Sequence, residues 1–262
     1  MNMDNIKIKP DWSKSKEDIW AEKFAGLEDE TPAPIIKLRS RRIWQYAAAA
    51  VIAFALLVPS VSYIYTDSVT APKGEHLAVT LPDGSTVQLN ADSRISYKPL
   101  WWKISREVKL DGEAYFEVAK GRTFDVVSGD AKVRVLGTSF NVFARGERYN
   151  VTCLTGRVSV SKLSQSVVLT PGMQAVFADS KLTAIETAYI QDAVSWTENR
   201  FVFSGVPLPE VVAEIERQYN IEVFATGMKP DYLYSGNFSK TDDPAQVLQI
   251  VGRPFGVEFK IK

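Results

Sequence analysis

The chain has 262 residues, with 31 basic against 31 acidic side chains, 45% apolar residues and 11% aromatic ones. So even a charge balance provides no general basic excess for nucleic acid, and the apolar content is that of a folded protein. Cys153 and His76 are the only residues of their kinds. This excludes an internal disulfide, His/Cys zinc centres and Cys–His nucleophile pairs, and leaves His76 as the sole histidine for any Ser–His–Asp triad.

Residues 1–42 read as one short helix and a tether. Ser15-Lys16-Glu17-Asp18 fits a helix-capping start. Ile19, Trp20, Phe24 and Leu27 follow at helical spacing with Lys23 among them, and Trp12 precedes the cap. So short a helix is marginal alone in water, so its rings need a surface to cover. A groove on a partner protein is one such surface. The competing reading is a weakly folded or membrane-lying helix, which the mixed charge of its polar side argues against. Glu28-Asp29-Glu30-Thr31-Pro32-Ala33-Pro34 is a polar, proline-containing tether.

Residues 43–66 carry no charge and contain the run Ala47–Val58. As a helix they would extend roughly 36 Å, against about 30 Å of hydrocarbon. Trp44, Tyr46, Tyr63 and Tyr65 sit where interfacial rings belong, and Pro59 lies toward the far end. Lys37, Arg39, Arg41 and Arg42 crowd the N-terminal flank, whereas Asp67 opens the other. This pattern predicts a single-pass membrane protein with its N-terminus in the cytoplasm and its larger C-terminal part across the membrane. A cleaved signal peptide is the competing reading, opposed by the 42 residues that precede the run and by the lack of an Ala-x-Ala site after it.

Residues 67–188 change to a period of two. Val87 with Leu89, Val108 with Leu110, Phe116 with Val118, Phe124 with Val126, Val133 with Val135, Phe140 with Val142 and Val158 with Val160 alternate with polar neighbours. Turn signals such as Asp83-Gly84, Asp111-Gly112, Thr155-Gly156 and Pro171-Gly172 separate the runs. The expectation is an all-β domain, either solenoid-like or a sandwich, with Cys153 as a buried small apolar residue.

Residues 189–262 read as βαβ followed by βαβ, a small α+β domain. Phe201-Val202-Phe203 is a strand. Pro207 and Pro209 open a helix with the stripe Leu208, Val211, Val212, Ile215 and Tyr219. Ile221–Phe224 and Tyr234–Phe238 are strands. Asp243-Pro244 caps a second helix carrying Val247, Leu248 and Val251, which Gly252 closes before the strand Val257–Ile261.

No chemistry stands out. Glu113 with Glu117 and Asp242 with Asp243 are the acidic pairs on offer for a hydrolase, and they fall in turns or on polar strand sides. No dinucleotide fingerprint, P-loop or nucleophile elbow occurs. Trp101-Trp102 beside Lys103 reads as an apolar corner rather than a sugar platform, and Asn150-Val151-Thr152 lies in an expected strand. No catalytic residue, cofactor or metal ligand is assigned, and the chain reads as a binder of other proteins.

Leu-Pro-Asp-Gly-Ser-Thr-Val-Gln-Leu-Asn-Ala-Asp-Ser-Arg-Ile-Ser-Tyr (Leu81–Tyr97) and Leu-Asp-Gly-Glu-Ala-Tyr-Phe-Glu-Val (Leu110–Val118) resemble the FecR family of transmembrane anti-sigma factors, particularly its Bacteroidetes branch. Phe124-Asp125-Val126, Val135-Leu136-Gly137-Thr138-Ser139-Phe140-Asn141-Val142, Thr155-Gly156-Arg157-Val158 and Leu169-Thr170-Pro171-Gly172 continue in that family's order. The C-terminal module is similar to the signalling domain of TonB-dependent outer-membrane receptors. The resemblance implies a bacterial inner-membrane protein with residues 67–262 in the periplasm. It also implies a relay from an outer-membrane TonB-dependent transporter to an extracytoplasmic-function sigma factor. Contact with sigma would then fall on Trp12, Ile19, Trp20, Phe24 and Leu27, and transporter contact on the C-terminal lobe. The alternative is a membrane-anchored scaffold or carbohydrate-binding module that binds no sigma factor.

Overall fold

The computed structural model describes residues 14–24, 40–240 and 243–262. They form two compact units divided between Leu56 and Leu57.

Within the first unit lies helix α1, Lys16–Phe24. A second helix, α2, covers Ser40–Ile64 and runs through the point of division. Among the described residues, no helix is long and apolar enough to cross a membrane. This corrects the expectation of a single-pass membrane protein spanning 43–66. Of the 25 residues of α2, only Ala47–Val58 are wholly apolar. Ser40, Arg41 and Arg42 form its first turn rather than flanking it, Gln45 follows, and Pro59, Ser60 and Ser62 belong to its last turns. The wholly apolar part, Ala47–Val58, extends only about 18 Å as a helix, well short of a hydrocarbon core of about 30 Å. Lys37 and Arg39 lie outside the described residues.

The second unit begins with thirteen strands: β1 Asp67–Ala71, β2 Leu77–Thr80, β3 Thr86–Leu89, β4 Ser93–Tyr97, β5 Arg106–Glu117, β6 Phe124–Ser128, β7 Ala131–Val135, β8 Ser139–Arg145, β9 Arg148–Cys153, β10 Val158–Lys162, β11 Gln165–Leu169, β12 Met173–Ala178 and β13 Lys181–Glu186. They form one continuous hydrogen-bonded system whose main path runs β11-β10-β7-β6-β5-β8-β9-β12-β13, with β1–β4 joined to β5 off that path. The long strand β5 is the hinge of this order. Its first half pairs with β4 and, in parallel, with β6. Its second half pairs with β3 and β8. Two sheets therefore share one strand, and β5 passes from one to the other at Gly112.

Glycine is required at that crossing. Gly112 has φ +104°, and a Cβ there would stand 2.6 Å from Ser93 Oγ and 2.8 Å from Ser93 Cα. At the opposite side, the Gln165 side chain ties the two free ends together. Its amide donates to Ser180 O at 2.7 Å, and its Oε1 accepts from Leu182 N at 2.9 Å. The result is a nearly closed two-sheet body.

The alternating apolar residues fill the space between the sheets. Phe116 and Phe140 stack at 5.1 Å, and Phe124 meets Phe116 edge-on at 6.3 Å. Each ring is fully buried, a burial worth about 1.5–3 kcal/mol. Trp102 closes an apolar corner against Tyr97 and Phe124, while Trp101 is half-buried and meets Tyr63 edge-on. Cys153 is buried, and burial pushes its thiol up to about 11. The turn Leu81–Ser85 is pinned by an ion pair between Asp83 and the buried Arg106, which also donates to Arg122 O and Ala119 O.

The remaining elements are a 3₁₀ segment Ile190–Glu198, β14 Arg200–Pro207, α3 Leu208–Tyr219, β15 Val223–Thr226, β16 Leu233–Ser239, α4 Pro244–Gly252 and β17 Glu258–Ile261. The strands pair as β14 with β16 and β15 with β17, both antiparallel. Leu208, Val211 and Ile215 of α3 meet Val247, Leu248 and Val251 of α4 in a core separate from that of the sandwich. Asp243 caps α4, its Oδ1 accepting from Ala245 N at 2.9 Å. The strand after α3 starts two residues later than its apolar pattern suggests. Asn220 turns left-handed at φ +53°, and Ile221 N still bonds back to Glu216 O, so extended pairing begins at Val223.

Candidate functional site

Two places merit description, one in each unit. In the first, Ser15 caps α1 as its sequence directs. Its hydroxyl accepts from Asp18 N at 3.2 Å, and the Asp18 carboxylate accepts from Ser15 N at 3.3 Å. No residue of α1 is buried. Trp20 is 59% exposed and Phe24, one turn on, is 40% exposed. Their rings meet at 4.6 Å with a 35° tilt, which makes a continuous aromatic ridge. Ile19 is half-buried. Trp12 and Leu27 lie outside the described residues. The structure thus brings Trp20 and Phe24 together and leaves them open.

In the second unit, the outer face of the sheet formed by β5, β8, β9 and β12 carries polar residues in register. Tyr115 stands opposite Asn141, Asn141 opposite Thr152, and Thr152 opposite Gln174. Glu113, Phe143 and Asn150 form the adjoining row. By alternation this face belongs to solvent. Instead, α3 lies over it with its own polar side, bearing Glu210, Glu214, Arg217 and Gln218. Glu113 does lie on the polar side of its strand, pointing away from the sandwich core, yet it is buried.

Glu113 accepts from Asn90 Nδ2 and from Asn141 Nδ2, each at 2.8 Å. Burial pushes its carboxyl up to about 7; the Glu214 charge adds to this, while the two amides and Arg145 oppose it. Gln218 links the two sides. Its amide nitrogen donates to Asn90 Oδ1 at 2.6 Å and to Glu214 Oε1 at 2.8 Å, and its Oε1 lies 2.9 Å from His76 Nε2. Burial lowers the His76 pKa, and its ring meets Trp196 edge-on at 5.3 Å. Arg145 donates to Ala91 O at 2.6 Å, to Asp92 O at 2.9 Å and to Ser93 Oγ at 3.1 Å. Glu214 holds Arg217 at 2.7 Å, and Arg148 pairs with Glu210 from the facing side.

Between these surfaces is a cavity of about 580 Å³. Two ion pairs, Arg148–Glu210 and Arg217–Glu214, line it, and both oxygens of Glu113 are engaged by amides. Among the described residues no cluster of three or more His, Cys, Asp or Glu could hold a metal. The arrangement is suited to holding two bodies in register. Sequence reasoning missed it because polar residues at alternating positions read as a wet face. The one available signal was that α3 offers polar residues on the side opposite its apolar stripe.

No curated protein matches this chain. Two crystal structures from Parabacteroides distasonis ATCC 8503, described as a "putative anti-sigma factor", are similar to it at 28% identity each. They cover 76% and 75% of this chain and 95% of their own chains, with TM-scores of 0.69 and 0.68. The model for "FecR protein" matches residues 67–159, and that for "FecR, C-terminal" matches residues 200–262. The first match lies in the sandwich from β1 into β10, and the second takes in the separately cored module from β14 to the last strand, so the chain belongs to the FecR family.

Proposed function

We propose that this chain is an anti-sigma factor, a regulator and not an enzyme, that engages an extracytoplasmic-function sigma factor through α1. The observation that carries the reading is the open Trp20–Phe24 ridge on a helix with no buried residue, in a member of the FecR family. Aromatic anchors on a short amphipathic helix suit a groove on a partner, where such rings dominate binding energy. Ile19 flanks the ridge, and Trp12 and Leu27 extend it along the sequence. The similarity to the Parabacteroides protein supports the same role. The signal, in this reading, comes from an outer-membrane TonB-dependent transporter whose signalling domain contacts the C-terminal module, residues 189–262.

The test is co-expression of the full chain with each extracytoplasmic-function sigma factor of its own genome, followed by capture on the tagged chain. One sigma factor should co-purify, and Trp20→Ala with Phe24→Ala should reduce its recovery at least about tenfold, as loss of two anchor rings does. Capture undiminished by the double substitution would remove α1 as the contact. Failure of every sigma factor to bind would remove the role itself.

A further inference from the structure

We infer that the sandwich and the C-terminal module are two lobes held by a polar latch centred on Gln218, and that the latch opens while both cores stay folded. The two buried apolar clusters share no residue, so separating the lobes divides neither core. Polar residues meet across the contact, and Phe143, Trp196, Phe201 and Phe203 are among those lining the cavity between the lobes. Gln218 is 2% exposed, yet all its bonds go to polar partners: His76 and Asn90 on the sandwich side, Glu214 on its own helix. The other ties are Gly74 N to Arg217 O at 2.7 Å, Lys240 Nζ to Gly74 O at 3.5 Å and the Arg148–Glu210 pair.

Water replaces such bonds at little net cost, and relative motion is the default between separately cored lobes of one chain. The closed state also carries a penalty that opening removes. Asn141 Oδ1, Arg145 Nε and Trp196 Nε1, all on residues lining the cavity, are buried without a hydrogen-bond partner. Each such atom is costly while buried and regains water when the lobes part. The cavity shows that the surfaces are not close-packed, which further weakens their adhesion. Between the lobes the chain passes through Asn199, left-handed at φ +55°, where the 3₁₀ segment meets β14. A change of backbone angles there would swing the module.

The latch is sensitive to protons. Glu214 and Arg217 from α3, Arg145 from β8, Asp92 from the turn before β4, and His76 and Lys240 around Gln218 are the charged or titratable groups near Glu113. With the lobes closed, Glu113 keeps its proton up to about pH 7; in an opened, hydrated site it would lose it near 4.5. The closed form therefore binds more protons between those values, and raising the pH through that window favours opening. His76 acts in the opposite sense. Its lowered pKa means that closure binds fewer protons there, so acid below about its ordinary 6.5 favours opening. Replacing Glu113 by glutamine isolates the first effect.

The experiment is single-molecule energy transfer in the full chain, with dyes on Lys109→Cys in β5 and Gln249→Cys in α4, both exposed positions. Cys153 is fully buried and stays unlabelled. We expect a dominant near state and a minor far state. The far state should grow about tenfold or more in Gln218→Leu. In the wild type it should rise from pH 5 to pH 8 relative to Glu113→Gln, with near-UV circular dichroism unchanged. One unvarying distance in wild type and Gln218→Leu at every pH would overturn the inference. So would a far state that arises only with loss of the near-UV signal, because that is unfolding. If Gln218→Leu does not fold, the pH series of wild type against Glu113→Gln decides alone.

Discussion

Glu113 shows how a residue's surroundings can reverse its apparent role. On β5 it alternates outward with Lys109 and Asp111, which are exposed, yet it is buried because a second body covers its face. Its folded pKa is raised, so folding binds a proton between about 4.5 and 7, and stability falls as the pH rises through that range. Glu113→Gln should abolish this slope and leave the variant more stable than wild type by a few kcal/mol at pH 8, read from urea midpoints. Phe116 is the opposite case. Its inward position and apolar neighbours are plain from alternation, and Phe116→Ala should cost about 3–5 kcal/mol in the same assay by opening a cavity between Phe124 and Phe140. The residues of the core were thus legible from period two. Those of the latch were not, since Glu113, Asn141 and Gln174 carry the same polar signature whether covered by water or by α3.

At the scale of elements, local chemistry sets starts and stops, and long-range pairing sets order. Ser15 and Asp243 cap α1 and α4 as their sequence contexts direct. Asp243→Ala should lower the thermal stability of the C-terminal module by about 1 kcal/mol, the usual worth of such a cap, measured by calorimetry. Gly112→Val should be far more damaging, with loss of the cooperative melting transition or a large drop in its midpoint. The substitution forces a branched side chain into positive φ and onto Ser93. The strands were readable one by one, but alternation says which face is buried and is silent about neighbours. Nothing local to β5 announces that its halves belong to different sheets, nor that β6 runs parallel to it. The pairing of β14 with β16 and β15 with β17 was hidden for the same reason.

At the scale of the molecule, the division of the chain illustrates the limit of counting uncharged residues. The stretch 43–66 lacks charge, yet among the described residues no helix is long and apolar enough to cross a membrane, and only Ala47–Val58 of α2 is wholly apolar. The order of regions, a short helix, an all-β body and a separately cored module, is carried by changes of period and by the turn residues between runs. The docking of the module on the body is not, because the polar residues that meet across it read as solvent-facing in sequence. A strand with membership in two sheets also constrains how the protein is made. The partners of β5 lie both before it, in β3 and β4, and after it, in β6 and β8. On the ribosome, the nascent chain up to Glu117 therefore has half of its central seam unmatched. That seam is completed only once Arg145, the end of β8, has been synthesised, well after β5 itself.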